Sequence, residues 1–170
     1  MTIRKLGDEV LHKKCEKITV FDDELKNLEE EMYKAMRKAE GIGLAGPQVG
    51  VTKRIFVIEI SEEGIKQTFV NPEIIETSVE TGMYNEGCLS LPGLEHEVER
   101  PLKVSICAQD IEGKPFTVNA EGLFARAIQH ENDHLNGILY IDHLDQEEKT
   151  RMEQLFVKKQ EALKKAKRRH

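Results

Sequence analysis

The stretch Gln129-His130-Glu131-Asn132-Asp133-His134-Leu135 places the strongest constraint on this chain, because its pattern H-E-x-x-H has chemical meaning only on a helix. Residues four apart on a helix share a face, so His130 and His134 can offer ring nitrogens to one metal ion while Glu131 sits one position round. From Ala120 the chain reads A-E-G-L-F-A-R-A-I-Q-H-E-N-D-H-L-N-G, with Leu123, Ala127, His130 and His134 spaced 4, 3 and 4 apart. The histidines therefore continue an apolar stripe, and the helix belongs at the centre of the fold. Asn119 is the expected N-cap and Asn136-Gly137 the left-handed stop. Two histidines on a buried face can also be hydrogen-bonded core. Glu131 between them favours a metal, since a carboxylate there is costly to bury unless it is paired or works on a bound water.

Around this helix the chain predicts strands in the middle and helices at the ends. Residues 1 to 21 read as an arm packed on the body. Over 23 to 39, Leu25, Leu28, Met32 and Met36 form one stripe behind an Asp22 or Asp23 cap, an amphipathic helix whose methionines are core. Residues 54 to 60 form a short, mostly buried strand. Residues 67 to 71 and 73 to 80 give two more, broken at Asn71-Pro72. Leu102, Val104 and Ile106 alternate with polar residues, and the turn at Asp110-Ile111-Glu112-Gly113-Lys114-Pro115 leads into 116 to 118, a hairpin. Residues 138 to 142 suggest a further short strand. A last helix follows, capped by Asp145 with Glu148 at the capping-box position and a stripe of Met152, Leu155, Phe156, Gln160 and Leu163. The fold class is α+β: mostly antiparallel sheet around a central H-E-x-x-H helix, with an N-terminal and a C-terminal helix. At 170 residues with 39% hydrophobic content, residues 1–170 suit a single domain, with 164–170 a frayed basic tail.

Two further segments resist ordinary secondary structure. Residues 41 to 50, G-I-G-L-A-G-P-Q-V-G, lack the side chains that keep backbone away from a partner. No Lys-Ser/Thr follows the glycines, and their spacing is wrong for a dinucleotide site, so a phosphate cradle is excluded; a helix stop with a tight turn is the bland alternative. Gln48 beside the glycines is a side-chain amide held on rigid backbone, a good donor to an oxyanion. In N-E-G-C-L-S-L-P-G, residues 85 to 93, Cys88 lies on bent backbone. Cys107 follows the polar phase of a strand and Cys15 a charged part of the arm. Cys88 is thus the best third ligand by elimination, with a reactive thiol served by His130, or a structural cysteine, still open.

Net charge is −6, but Lys158, Lys159, Lys164, Lys165, Lys167, Arg168 and Arg169 crowd the end of the chain against the single Glu161. Such a tail is either a solvated helix end that suits the helix dipole or a contact for RNA or another polyanion. Three cysteines, no signal peptide and no apolar run near ~20 residues point to a cytoplasmic chain with reduced thiols, with no membrane and no DNA among its partners. A metal held by two histidines and one other protein ligand keeps a position for water. Glu131 takes the proton of that water, and the hydroxide attacks a carbonyl carbon, which hydrolyses an amide or ester. A zinc peptidase with His143 as downstream ligand, and a structural metal protein with an RNA-binding tail, are the rival readings.

Three separated segments, G-I-G-L-A-G-P-Q at 41 to 48, E-G-C-L-S at 86 to 90 and Q-H-E-N-D-H-L at 129 to 135, together resemble the three signature motifs of bacterial peptide deformylases, in the same order and across nearly the whole chain. The resemblance implies hydrolysis of the formyl group from N-formylmethionyl peptides emerging from the ribosome, releasing formate. It implies Cys88, His130 and His134 as ligands of one divalent metal ion, typically Fe2+, with Zn2+, Ni2+ or Co2+ able to take its place. It implies Glu131 as general base and acid, and Gln48 with the backbone N–H of Leu89 as stabilisers of the tetrahedral intermediate. Gly43 matches a residue whose backbone meets substrate, while Tyr84, Leu123 and Ala127 fall where the family lines its methionine pocket. The basic tail suits an enzyme working near ribosomal RNA. One departure stands out: the first motif commonly reads Gly-Leu-Ala-Ala, and here Gly46 follows Ala45, a change expected to loosen the loop that carries Gln48.

Overall fold

The computed structural model describes residues 1–169. Helix α1 spans Asp23–Lys38 and is followed by strands β1 (Gly43–Ala45), β2 (Ile55–Ile60), β3 (Ile65–Thr77), β4 (Thr81–Gly87), β5 (Glu95–Pro101), β6 (Lys103–Gln109) and β7 (Pro115–Glu121). Helix α2 spans Gly122–Leu135 and α3 spans Gln146–Arg168. Five strands form one sheet in the order β1-β2-β3-β6-β7, and β4 pairs with β5 in a separate hairpin. Every pairing between these strands is antiparallel, with a single parallel bridge, Glu16 to Lys53, outside them among the described residues. The class is α+β, as expected.

The alternation of a strand explains how the sheet seats two helices. Along β2, Phe56, Ile58 and Ile60 join Phe69, Ile106, Ala125 and Ile128 on the α2 side, while Ile55 and Val57 join Leu25, Met32 and Met36 on the α1 side. Both faces are covered, so β2 reads as a continuous apolar run. Phe56 and Phe69 stack at 4.7 Å, and the burial of each such side chain is worth roughly 1.5–3 kcal/mol. A third cluster sets α3, through Met152 and Phe156, against Leu91, Leu94 and Val98. The loop after β4 is thereby pressed between α2 and α3.

Several elements differ from their sequence reading. The break at Asn71-Pro72 is a bulge inside the 13-residue strand β3, with the register shifted between Val70 and Glu73. Asn71 sits at φ 50° and its side chain bonds Ile18 and Gln109, so the missing amide of Pro72 is absorbed without ending the strand. Asn119 is not the cap of α2. It lies in β7 opposite Ser105, because pairing continues to Glu121, which takes the N-cap position. Gly137 does adopt the left-handed region, φ 74°. Residues 138 to 142 form no strand: Asp142 accepts the Leu139 N–H at 2.8 Å and closes a 3-10 turn over Tyr140–His143. Asp145 caps α3 through the Glu148 N–H, but the Glu148 carboxylate turns to His96 and Arg151 instead of completing a capping box. Where fraying was expected over 164–170, the helix continues to Arg168, exposed at every described residue from Glu161; His170 lies outside the described residues.

Candidate metal centre and peptide cleft

Three elements converge on one end of a cleft. Strand β4 ends at Gly87, and a turn closed by the Leu91 N–H on the Cys88 carbonyl, 2.9 Å, brings the thiol back toward α2. One ligand atom each from Cys88, His130 and His134 lies within 4.8 Å of the other two. Cys88 Sγ stands 3.5 Å from His134 Nε2. One thiol and two imidazoles are a donor set suited to a divalent transition metal, and three protein ligands leave a position for water.

His130 is oriented by a buried ionic network. Its Nδ1 meets Glu86 Oε1 at 2.8 Å. Glu86 also accepts from Arg100 Nε at 2.6 Å and Nη2 at 3.0 Å, and from Arg126 Nη1 at 2.8 Å. Arg100 Nη1 continues to Asp133 at 2.9 Å, which in turn meets His143 Nε2 at 2.7 Å. Burial by itself would raise the Glu86 carboxyl pKa. The hydrogen bonds from His130 and Arg100 outweigh it and hold the group well below the usual carboxylate range. Burial likewise disfavours a charged His130, and its contacts with Cys88 and Glu86 overcome this and raise its proton affinity. A carboxylate behind an imidazole fixes the tautomer and makes the other nitrogen a stronger ligand.

Glu131 is treated differently. It is 3% exposed, and its Oε1 has no hydrogen-bond partner among the described residues. Desolvation pushes its carboxyl pKa up to about 7, with nearby Glu86 and Asp133 adding to the effect against His130 and Arg100. An orphaned buried carboxylate oxygen beside three ligand atoms fits a bound water better than a structural contact.

The glycine run lets β1 approach this group. A Cβ at Gly43 would meet Glu131 Oε2 at 2.7 Å, and one at Gly41 would meet Leu89 Cδ1 at 2.7 Å. Gln48 is 1% exposed; its Oε1 accepts the Ala45 N–H at 2.9 Å, and its Nε2 donates to Ser90 Oγ at 3.1 Å and faces Cys88 Sγ at 3.5 Å. The cleft, about 680 Å³, is lined by Gly43, Gln48, Tyr84, Cys88, Leu89, Leu123, Ala127, His130 and Glu131, with Ile42, Glu40 and Glu95 toward its rim. That volume lies within the range of small-molecule sites.

The structure thus gathers nine of the ten residues singled out from the sequence on the cleft wall, with His134 beneath them. His143, the ligand of the peptidase alternative, bonds Asp133 and stands apart from the Cys88, His130 and His134 cluster. Cys15 is buried in the core, and Cys107 lies beside Thr117 on the sheet. A Cβ at Gly46 would fall 2.7 Å from the Val51 carbonyl oxygen and 2.8 Å from that of Lys53, so the turn packs closely on that segment. Sequence reasoning gave no role to Glu86, Ser90, Arg100, Arg126 or Asp133. Glu86 and Ser90 flank Cys88 within one motif, which was a usable signal; no local pattern marks the two arginines.

A helix that offers two histidines and a carboxylic acid to a peptide-sized cleft defines the metal-dependent hydrolases of the H-E-x-x-H kind. Residues 1–150 match the polypeptide deformylase family. The chain is 49% identical over 146 residues to peptide deformylase 1 of Clostridium perfringens, covering 84% of this chain and 99% of that one. The crystal structure of a peptide deformylase from Legionella pneumophila superposes with a TM-score of 0.90 at 38% identity, covering 95% of this chain and 96% of that one. A peptide deformylase from Synechococcus elongatus, crystallised with actinonin, gives 0.86 at 39% identity over 92% and 86% of the two chains. The chain belongs to the polypeptide deformylase family, metalloenzymes that hydrolyse the N-formyl group.

Proposed function

We propose that the whole chain acts as one catalytic unit removing the formyl group from the N-formylmethionine of newly made peptides, with Cys88, His130 and His134 holding a single divalent metal ion, Fe2+ in the cell. The observation that supports this division of roles is the buried Glu131 carboxyl, whose Oε1 has no hydrogen-bond partner among the described residues and stands 3.9 Å from His134 Nε2, beside three clustered ligand atoms. When bound, the metal supplies Lewis-acid polarisation of a water and of the formyl oxygen. Glu131, its carboxyl raised to about 7, takes the proton of the attacking water as the water oxygen bonds to the formyl carbon. The C–N bond then breaks, Glu131 returns the proton to the departing amine, and formate and a free amino terminus result. Gln48 Nε2 and the Leu89 N–H face the developing oxyanion. The Gly43 backbone meets the peptide, and Tyr84, Leu123 and Ala127 line the methionine side chain.

Formylated nascent chains place this work in the cytoplasm beside the ribosome, and the exposed cationic end of α3 suits contact with ribosomal RNA. Among the described residues no helix is long and apolar enough to cross a membrane. The test is formate release from a formyl-methionyl tripeptide by protein purified without oxygen, before and after chelation and on return of ferrous ion. Release that chelation abolishes and iron restores is the expected result. No release by metal-replete protein would refute the reading.

A further inference from the structure

We propose that the N-terminal arm is a positioning strap: through the backbone N–H groups of Arg4 and Leu6 it ties the turn of Gln48 to the turn of Leu89, and, given the roles proposed above for those two residues, it sets how far apart the oxyanion donors stand. The Arg4 N–H donates to the Gln48 carbonyl at 2.7 Å, and the Leu6 N–H to the Ser90 carbonyl at 2.9 Å. Gln48 and the residue after Leu89 are thus held by donors only two residues apart on one segment. Lys5 lies between, and its N–H has no hydrogen-bond partner among the described residues. Even fully extended, two residues span at most about 7 Å, so the two turns cannot drift apart while both bonds hold.

Apolar side chains anchor the strap on either side of these bonds. Ile3 packs against the cluster that holds Leu44, where Val49 and Leu89 also pack, whereas Leu6 packs against the cluster that holds Leu91, together with Cys88. Arg4 and Lys5 between them are exposed. Toward the cleft the same two turns meet through side chains, Gln48 Nε2 donating to Ser90 Oγ at 3.1 Å. One side-chain bond lets two backbones rock about it. The strap removes that freedom, because Gln48 and Ser90 are buried and a carbonyl pulled off its donor there is left without a partner. Loss of the Arg4 bond frees the turn that carries Gln48, and loss of the Leu6 bond frees the turn whose Leu89 N–H faces the oxyanion.

The native Cys15 allows a test that spares every side chain. Synthetic residues 1–14 are ligated to recombinant residues 15–170 at that cysteine and the full chain is refolded, with an ester oxygen replacing one N–H at a time. kcat and KM on a formyl-methionyl tripeptide and the melting temperature are measured for the iron-loaded all-amide chain and for esters at Arg4, Lys5 and Leu6, each with Gln48 and with Gln48→Ala. The Arg4 and Leu6 esters are each expected to lose about five- to tenfold in kcat with KM within about twofold, because a misplaced donor weakens only the transition state. The Lys5 ester should keep the all-amide kcat. With Gln48→Ala, the Arg4 ester should still lower the melting temperature but cost no further kcat, whereas the Leu6 ester should still cost kcat. Esters at Arg4 and Leu6 that lower only the melting temperature, a Lys5 ester that loses as much kcat, or an Arg4 loss that multiplies with that of Gln48→Ala would overturn the proposal. Should the ligated chains not refold, amide hydrogen exchange in the recombinant parent decides: Arg4 and Leu6 should exchange at least about tenfold more slowly than Lys5, and equal rates would overturn the proposal. If the all-amide chain folds but releases no formate, the deformylase reading fails separately. The strap is then judged by exchange at Val51, which bonds Gly46, and at Leu91, which bonds Cys88. The Arg4 ester should speed the first and the Leu6 ester the second by at least about tenfold, and unchanged rates would contradict the strap.

Discussion

Glu86 and Glu131 flank the same metal-site histidine, and both are buried, at 5% and 3% exposure. Glu86 accepts from two arginines and faces His130, whereas Glu131 Oε1 has no hydrogen-bond partner among the described residues. The pKa values follow the surroundings: one group lies well below the usual carboxylate range and the other is raised to about 7. A buried carboxylate surrounded by donors is held charged, while one buried without them keeps its proton to higher pH.

The comparison breaks most easily at Glu131. Replacing it with alanine should lower kcat by about 10²–10⁴-fold while leaving metal content and fold unchanged. Near-normal turnover in that variant would show that the unpartnered carboxyl is not the base. The opposite side of His130 should respond in stability. Arg100→Met removes two bonds to Glu86 and one to Asp133, leaving buried charge partly uncompensated, and should destabilise the protein by about 3 kcal/mol in denaturant unfolding.

The pH dependence sharpens the contrast in metal-free protein. The folded pKa of Glu131 is raised from an ordinary 4.5 to about 7. Its stabilising contribution is therefore complete below the unfolded value and is lost as the pH rises through about 7. Between pH 5 and pH 8 the parent should lose about 2.5 kcal/mol more than Glu131→Gln, measured by unfolding at each pH. Parallel curves for the two proteins would contradict the assignment. A third carboxylate marks the lower bound. Glu148, partly exposed on α3, is held down to about 2 by Arg151 first and His96 second. It contributes above the unfolded carboxyl range, and that contribution is lost as the pH falls through about 2. His96 is raised first by the Glu97 carbonyl and then by Glu148, so its part is present below an ordinary 6.5 and lost as the pH rises through the folded value. Being partly open to solvent, the pair should matter little: Glu148→Gln is expected to shift the melting temperature only marginally, and less in high salt.

How much of this was legible follows from range. The Glu131 side could be read because H-E-x-x-H is a local pattern on a helix whose stripe the sequence also displays. The Glu86 side could not, because Arg100 and Arg126 reach the carboxylate from β5 and α2, 14 and 40 residues away in sequence. The same division explains the fold. Helices α1 and α3 follow from periodicity and an aspartate cap at each start. The bulge at Asn71, the late cap of α2 and the 3-10 turn at Tyr140–His143 depend on partners elsewhere in the chain or on a side chain closing its own turn.

The most direct test of the division between the two carboxylates is their own titration, followed by carboxyl carbon resonances in metal-free protein labelled at glutamate. The account requires Glu131 to titrate near pH 7 and Glu86 to remain ionised throughout the ordinary carboxylate range. Titration of both groups near ~4.3, the unperturbed glutamate value, or of Glu86 above Glu131, would contradict it.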